Sequence, residues 1–231
     1  MPSLLLKLRG PMQSWGHESR FTVRGTDTHP TKSGIVGLIA AAEGRRRSDP
    51  IEDLAELTLA VRIDQRGNIE RDFQTAIDWR KGSSMPLVNR YYLTDAVFLV
   101  AIEAPIETLN GIEHALKHPL FPLYLGRKSC PANYDLVIGH RDAGALAALK
   151  SEPWSASDQY KRQRPSRVRL PIFRDAGPGE PGIRVQDVPV SFAQEHRIYR
   201  WRNVVQELSD EMENGLGRGT SDPFFETVIQ A

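Results

Sequence analysis

The chain has 231 residues, of which 40% are hydrophobic and 26% charged; these are ordinary globular proportions, and they exclude wholesale disorder. No apolar run approaches the ~20 residues needed to span a bilayer, so no membrane partner is expected. The net charge of +1 decides nothing about partners, while the single cysteine, Cys130, excludes an internal disulfide and fits a reducing cytoplasm.

The run Leu4-Leu5-Leu6-Lys7-Leu8 predicts a first strand over residues 3–9. No charged stretch precedes it, so no signal peptide is expected. The strand ends in RGPMQSWG (9–16), a loop stiffened by Pro11 and hinged by Gly10 and Gly16. SGIVGLIAAAE (33–43) predicts a helix, capped by Thr31 or Ser33 and stopped by Gly44; it is apolar almost all round and therefore buried against a sheet. Ser48-Asp49-Pro50 opens a short second helix through Leu57. Leu59, Val61 and Ile63 alternate, which predicts a strand over 57–64, and Gln65-Arg66-Gly67-Asn68 turns the chain into another over 69–73.

A polar stretch, 74–90, separates these from a strand over 93–102, whose unbroken AVFLVAI predicts a central position covered on both faces. Pro105 precedes a helix with the stripe Ile106, Leu109, Ile112 and Leu116, ended at Pro119, and a loop over 120–131 leads to a strand over 134–140. Strand, helix, strand, strand, helix, strand is the ferredoxin-like (RRM-like) βαββαβ order, so the predicted class is α+β with 74–90 as an insertion and a first domain of residues 1–142. After a short helix over 143–150, residues 143–231 read as a smaller basic, β-rich C-terminal subdomain. It pairs 167–173 with 183–192 around the turn DAGPGEPG, adds one strand over 196–205, and ends in a loosely held acidic tail beyond Ser209.

Charge is distributed in blocks. Lys161, Arg162, Arg164, Arg167, Arg169 and Arg174 run without an intervening acid, while Glu207, Asp210, Glu211 and Glu213 gather near the end. Such blocks suit either an anionic partner with a separate protein contact, or a solvated arginine-rich face.

Common enzyme signatures are missing. G-x-G-x-x-G and G-x-S-x-G do not occur, and PTKSGIVG lacks the upstream glycine of a phosphate-binding loop. His114 and His118 stand four apart but on the solvent side of their helix with no third ligand near, so neither metal nor cofactor is expected. Cys130 is either a nucleophile or a small buried hydrophobe. The central strand also lacks the aromatic pattern of an RNA-stacking sheet, Phe98 being its one aromatic, so any RNA contact falls to loops.

Three loops are equipped for it. In RGPMQSWG, Gln13 reads a base edge and Trp15 stacks, or Trp15 plugs the sheet edge. In LGRKSCP, Gly126, Arg127, Lys128 and Ser129 form a phosphate clamp or a solvated turn. In RKGSSMPLVNRYY, Arg80, Lys81 and Arg90 follow a backbone while Met85 and Leu87 wedge between bases or pack on the core.

GPMQSWG, PTKSGIVGLIAAAEG, RYYLTDAVFLVAI and PLYLGRKSCP together resemble the RAMP-type subunits that hold the crRNA 5′ handle in type I-E CRISPR antiviral effector complexes. The resemblance covers most of residues 1–140; the C-terminal part agrees in size and basic character without a sharp motif. It implies a non-catalytic RNA-binding subunit with an RRM-like core, whose 74–90 insertion is a β-hairpin thumb that displaces a base where handle meets guide. The handle is then gripped by the GPMQSWG and GRKSCP loops with Arg24, Lys32 and Ser33 near them. The implied partners are the crRNA, the backbone subunit whose filament this protein caps, and the large subunit that reads the protospacer-adjacent motif. Two alternatives stay open: a metal-independent endoribonuclease using His17, Lys32, Lys128 and Tyr91 on repeat RNA, and a general RNA-binding module outside CRISPR.

Overall fold

The computed structural model describes residues 1–16, 22–82, 84–193 and 195–218, with the backbone alone at 19–20. In chain order its elements begin with β1 (Ser3–Arg9), three short strands β2 (Met12–Gln13), β3 (Ser19–Arg20) and β4 (Val23–Arg24), then helices α1 (Lys32–Ala42) and α2 (Glu52–Ala55). There follow β5 (Thr58–Gln65), β6 (Asn68–Gln74), β7 (Val88–Thr94), β8 (Val97–Glu103), α3 (Ile106–Lys117) and β9 (Val137–Arg141). The remainder is α4 (Ala145–Ser151), α5 (Asp158–Arg162), β10 (Arg167–Val168), β11 (Pro171–Asp175), β12 (Ile183–Ser191), β13 (Ile198–Leu208) and β14 (Met212–Glu213).

The main sheet is antiparallel, in the order β12-β13-β11-β5-β8-β1-β9. Alternation along the strands divides its core in two. Leu4, Leu6 and Leu8 of β1, Leu59, Val61 and Ile63 of β5, and Phe98, Val100 and Ile102 of β8 face α1 and α3. Leu5, Ala60, Leu99, Ala101 and Ile172 face the opposite way, onto α4. β8 is thus covered on both sides, as its unbroken apolar run predicts. Thr31 caps α1, its hydroxyl accepting from the Gly34 amide.

Several expectations are corrected. The strand read as 93–102 breaks at Asp95, whose φ of 56° turns the chain, so that β7 leaves the main sheet and joins β2, β4, β3 and β6 in a second one. The protruding hairpin therefore runs from Asn68 to Thr94, wider than 74–90, and the strand read over 69–73 is one of its limbs. The pairing of 167–173 with 183–192 does not form, because β13 lies between β11 and β12. The C-terminal strands also have no separate sheet for their main part: β11, β13 and β12 extend the N-terminal sheet beyond β5. The acidic segment after Ser209 is anchored: β14 pairs with β10, and the buried Asn214 amide donates to the Lys161 and Pro165 carbonyls. The remaining tail, 219–231, lies outside the described residues.

Buried ion pairs fasten the added strands and segments. Arg62 of β5 uses all five donors: two on the Asp64 carboxylate, the others on the carbonyls of Leu149, Glu152 and Pro153. Arg202 of β13 grips both oxygens of the buried Asp187 and also reaches Asp175. Asp187 in turn accepts the Lys32 amide at the N-terminus of α1 (2.7 Å), where a negative charge meets the positive end of the helix. Breaking such a pair leaves an uncompensated buried charge.

Candidate nucleic-acid interface

The loop after β1 is held from within. Gln13 and Trp15 are both buried. The Gln13 side-chain amide donates to the Ala96 carbonyl (2.8 Å), and its oxygen accepts from the Trp15 indole (3.0 Å). A Cβ at position 34 would stand 2.7 Å from the Trp15 ring, so Gly34 in α1 is what lets the indole seat. Gln13 and Trp15 are therefore corrected as base-reading and stacking groups: the glycine-hinged loop is stiff because its own polar groups are paired inside the protein.

The second loop packs against the first. Gly126 has a φ of +91°, and a Cβ there would fall 1.8 Å from the Ser14 carbonyl oxygen, so that position requires glycine for both conformation and close approach. The Leu125 amide donates to the Cys130 carbonyl (2.7 Å) and closes the turn, while the Ser14 amide donates to the Leu125 carbonyl (3.0 Å). Burial pushes the Cys130 thiol up in pKa, which disfavours the reactive thiolate.

Arg127 is also spent on structure. Its guanidinium donates to the carbonyls of Tyr91 (3.1 Å), Arg24 (2.8 Å) and Gly25 (3.1 Å), and stacks over the Tyr92 ring 4.8 Å away. It pins β4 and β7 to the loop, and its charge is not met by a carboxylate among the described residues. Lys32 and Ser33 are corrected as handle-gripping groups. Both are buried; the Lys32 ammonium pairs with Asp175 (3.1 Å), and the Ser33 hydroxyl is 3.3 Å from that of Thr31. Desolvation holds the Lys32 ammonium below its ordinary pKa even beside that carboxylate.

What remains is a cluster of cations that form no ion pair among the described residues. β4 runs parallel to β7 with Arg24 directly opposite Arg90. Two residues along β7, the Tyr92 phenol oxygen lies 3.3 Å from the Ser129 hydroxyl. Burial works to raise the Tyr92 phenol's pKa, but hydrogen bonds involving Ser129, Arg127 and Arg90 outweigh it, and the net shift is downward. Lys128 is exposed beside them. Among the described residues no ion pair holds Arg24, Arg90 or Lys128, and the Arg90 Nε is buried without a partner. Asp72 faces Arg90 from β6, yet its carboxylate accepts from Gln74 (3.0 Å) and makes no ion pair among the described residues. Like charges directly opposite across a strand pair are unfavourable, so this corner is electrostatically incomplete and suited to an anion.

The third predicted loop is the tip of the β6–β7 hairpin. Ile77 bridges to Ser84, the Met85 amide donates to the Ala76 carbonyl, and Gly82 turns the chain with a φ of +64°. Arg80, Lys81 and Met85 are exposed, as expected. Sequence reasoning misses the largest feature here: Trp79 is 84% exposed with the Arg80 guanidinium 5.2 Å from its ring, and Ile77 and Phe73 are exposed near it. The signal is present in IDWRKG, an aromatic beside two cations. It also passes over Tyr92 in favour of its neighbour Tyr91.

The structure thus brings Arg24, Arg90, Lys128 and Ser129 together around Tyr92, places Arg80, Lys81 and Met85 on the hairpin tip, and withdraws Gln13, Trp15, Lys32 and Ser33 into the interior. His17, from the alternative nuclease set, lies outside the described residues. The His114 and His118 rings lie 4.7 Å apart on the exposed side of α3, and no group of three or more His, Cys, Asp or Glu suited to a metal occurs among the described residues. No described helix is long and apolar enough to cross a membrane.

Fold and site together define a strand-rich α/β protein in which Arg24, Arg90 and Lys128, none of them in an ion pair among the described residues, lie away from the main sheet, on the second sheet and a connecting loop. The chain belongs to the Cas5 family of CRISPR-associated proteins: the family described as "CRISPR-associated protein (Cas_Cas5)" matches residues 3–205. It is similar to CRISPR system Cascade subunit CasD of Escherichia coli (strain K12), with 36% identity over 172 residues, covering 65% of this chain and 77% of that protein. Among solved structures it resembles a chain of a CRISPR RNA-guided surveillance complex, with a TM-score of 0.76 and 28% identity over 99% of this chain and 98% of the other. A crystal structure of a Cas protein matches with a TM-score of 0.67 and 37% identity over 89% and 94% of the two chains.

Proposed function

We propose that this protein is a non-catalytic RNA-binding subunit of a type I-E CRISPR surveillance complex in the cytoplasm, gripping the 5′ handle of the crRNA and capping the filament of backbone subunits. The observation that carries the reading is the juxtaposed Arg24 and Arg90, flanked by Lys128, Ser129 and Tyr92, with no ion pair among the described residues to complete them. A phosphodiester backbone supplies the missing charge. Arg127, Gln13 and Trp15 then act as positioning residues, holding the two loops against each other so that the cluster is presented without rearrangement. The βαββαβ part of the main sheet is the ferredoxin-like RAMP core, and the β6–β7 hairpin is the thumb that crosses the RNA where handle meets guide. Membership of the Cas5 family and the likeness to a surveillance-complex chain support this reading, and the relative named as a Cascade subunit supports the assembly role. The large subunit that reads the protospacer-adjacent motif is the second protein neighbour in this proposal. The alternative nuclease set loses Lys32, whose ammonium is buried against Asp175.

The test is salt dependence. Arg24→Ala combined with Lys128→Ala should shallow the slope of log affinity against log salt by about 0.7 for each single-strand phosphate that the variant no longer neutralises. Binding is measured by fluorescence anisotropy on the RNA that co-purifies with the chain when its neighbours are co-expressed. An unaltered slope, or the absence of any co-purifying RNA, would count against the reading.

A further inference from the structure

Beside the β5–β6 turn lies a cleft of about 1080 Å³ that shares no residue with the cation cluster. Four segments wall it: the end of β1 at Arg9–Pro11, the turn Gln65–Asn68 with Asp95–Val97 behind it, the limb Pro131–Tyr134, and the stretch from Ser155 into α5 and on to Arg164. The loop that presents Lys128 therefore continues directly into one wall of the cleft.

Its lining is chemically specific. Tyr134 is 96% exposed, a whole aromatic ring with a bare face on the cleft wall. Elsewhere in the lining, Arg164 lies 4.3 Å over the Tyr160 ring and donates to its phenol oxygen (2.7 Å), so its guanidinium is held in place without being neutralised. Tyr160 is itself fixed edge-on to Trp154. Among the described residues neither Arg66 nor Arg164 makes an ion pair, whereas Arg9 is taken by Asp135 at 3.1 Å. Exposed amides come from Gln159 and Gln163, and Asp95 adds the one lining carboxylate among the described residues, an acceptor suited to an exocyclic base amine. Among the described residues its apolar lining is confined to small side chains and prolines, Ala96, Val97, Ala132, Ala156, Pro11 and Pro131. A free ring, two uncompensated guanidinium groups and base-edge amides are the groups that hold single-stranded nucleic acid.

We propose that this cleft is a second seat for single-stranded RNA, where a base stacks on Tyr134 while Arg66 and Arg164 meet the adjoining phosphates. The proposal rests on the RNA-binding reading above and extends the path of the strand past Pro131 into a cleft formed jointly by the N-terminal part and the segment leading into α5.

The experiment measures binding of the full chain to a fluorescein-labelled single-stranded RNA of mixed sequence. The variants are Tyr134→Ala, Arg66→Glu and, as a separate reference, Arg24→Ala with Lys128→Ala; thermal unfolding is followed in parallel. Tyr134→Ala should raise Kd by about five- to a hundredfold, and Arg66→Glu should also raise it, with unfolding temperatures unchanged because both side chains are exposed. Normal Kd in both cleft variants, with a raised Kd in the reference variant, overturns the cleft and leaves the cluster standing. The reverse pattern removes the cluster and supports the cleft. Unchanged RNA affinity combined with failure to co-purify neighbouring subunits would assign the cleft to a protein segment and overturn the proposal. If the wild-type chain binds no RNA, both readings fall.

Discussion

Two tryptophan-bearing segments of similar composition have opposite fates. In RGPMQSWG, Trp15 is 1% exposed; in AIDWRKG, Trp79 is 84% exposed. Each has a basic residue and a glycine close by, so composition does not separate them. What separates them is whether distant residues complete the ring's surroundings. Trp15 finds a hydrogen-bond acceptor in Gln13 and a Cβ-free face at Gly34. Trp79 stands on a two-stranded projection whose tip is closed by its own turn, and Arg80 is the cation stacked on it. The first ring builds the platform, and the second remains available to a partner.

The sharpest way to break this comparison is to truncate both rings. Trp15→Ala should cost about 3–5 kcal/mol in urea-unfolding free energy, the usual loss for a large buried aromatic, because it empties the space beside Gly34 and strands the Gln13 oxygen. A loss below about 1 kcal/mol would mean that the loop collapses around the gap and that Trp15 is not the fastening. Any fall in RNA affinity should then be recovered by conditions that restore folding.

Trp79→Ala should do the opposite. Its effect on stability should stay within about 0.5 kcal/mol, as for surface positions generally. Its effect on RNA affinity in the assembled complex should be about 1–3 kcal/mol if a base stacks on the ring. Equal affinity for both chains would leave the exposed tip to a protein contact.

The sequence is most legible where periodicity and punctuation agree. α1, α3, β5 and the buried course of β8 follow from spacing, caps and proline or glycine stops. The departures share one cause: they are decided by partners far along the chain. The break at Asp95 is marked in the sequence only by the polar pair Thr94-Asp95, and its outcome, the departure of β7 to a second sheet, depends on β2, β4 and β6. β13 inserts between β11 and β12, where its Arg202 meets Asp187 and Asp175, a pairing that local hairpin logic cannot foresee. At the candidate site the same limit applies. Residue type finds the right loops, but whether Arg127 faces a phosphate or three carbonyls depends on where Arg24, Gly25 and Tyr91 arrive.

The comparison extends to charged residues, where the expected effects are smallest. Arg24 and Lys128 are left without ion pairs among the described residues, whereas Lys7 and Arg9 of β1 are both committed to Asp135, at 2.7 and 3.1 Å. Partial burial works to raise the Asp135 pKa, but hydrogen bonds from Lys7 and Asn133 and the charges of Lys7 and Arg9 overcome it, and the carboxyl is lowered to about 2 from an ordinary value of 3.8. A folded pKa below the unfolded one means that the contribution is complete above pH 3.8 and disappears as the pH falls toward 2. Asp135→Asn should therefore lower stability slightly at neutral pH, and the gap from wild type should close between those two values in acid-titrated urea unfolding. Because the side chain is partly exposed, raised salt should narrow the neutral-pH gap as well. A gap that is constant from neutral pH to pH 2 would show that the Asp135 charge does not contribute through the two cations, and would remove Lys7 and Arg9 from the set of charges committed to the fold.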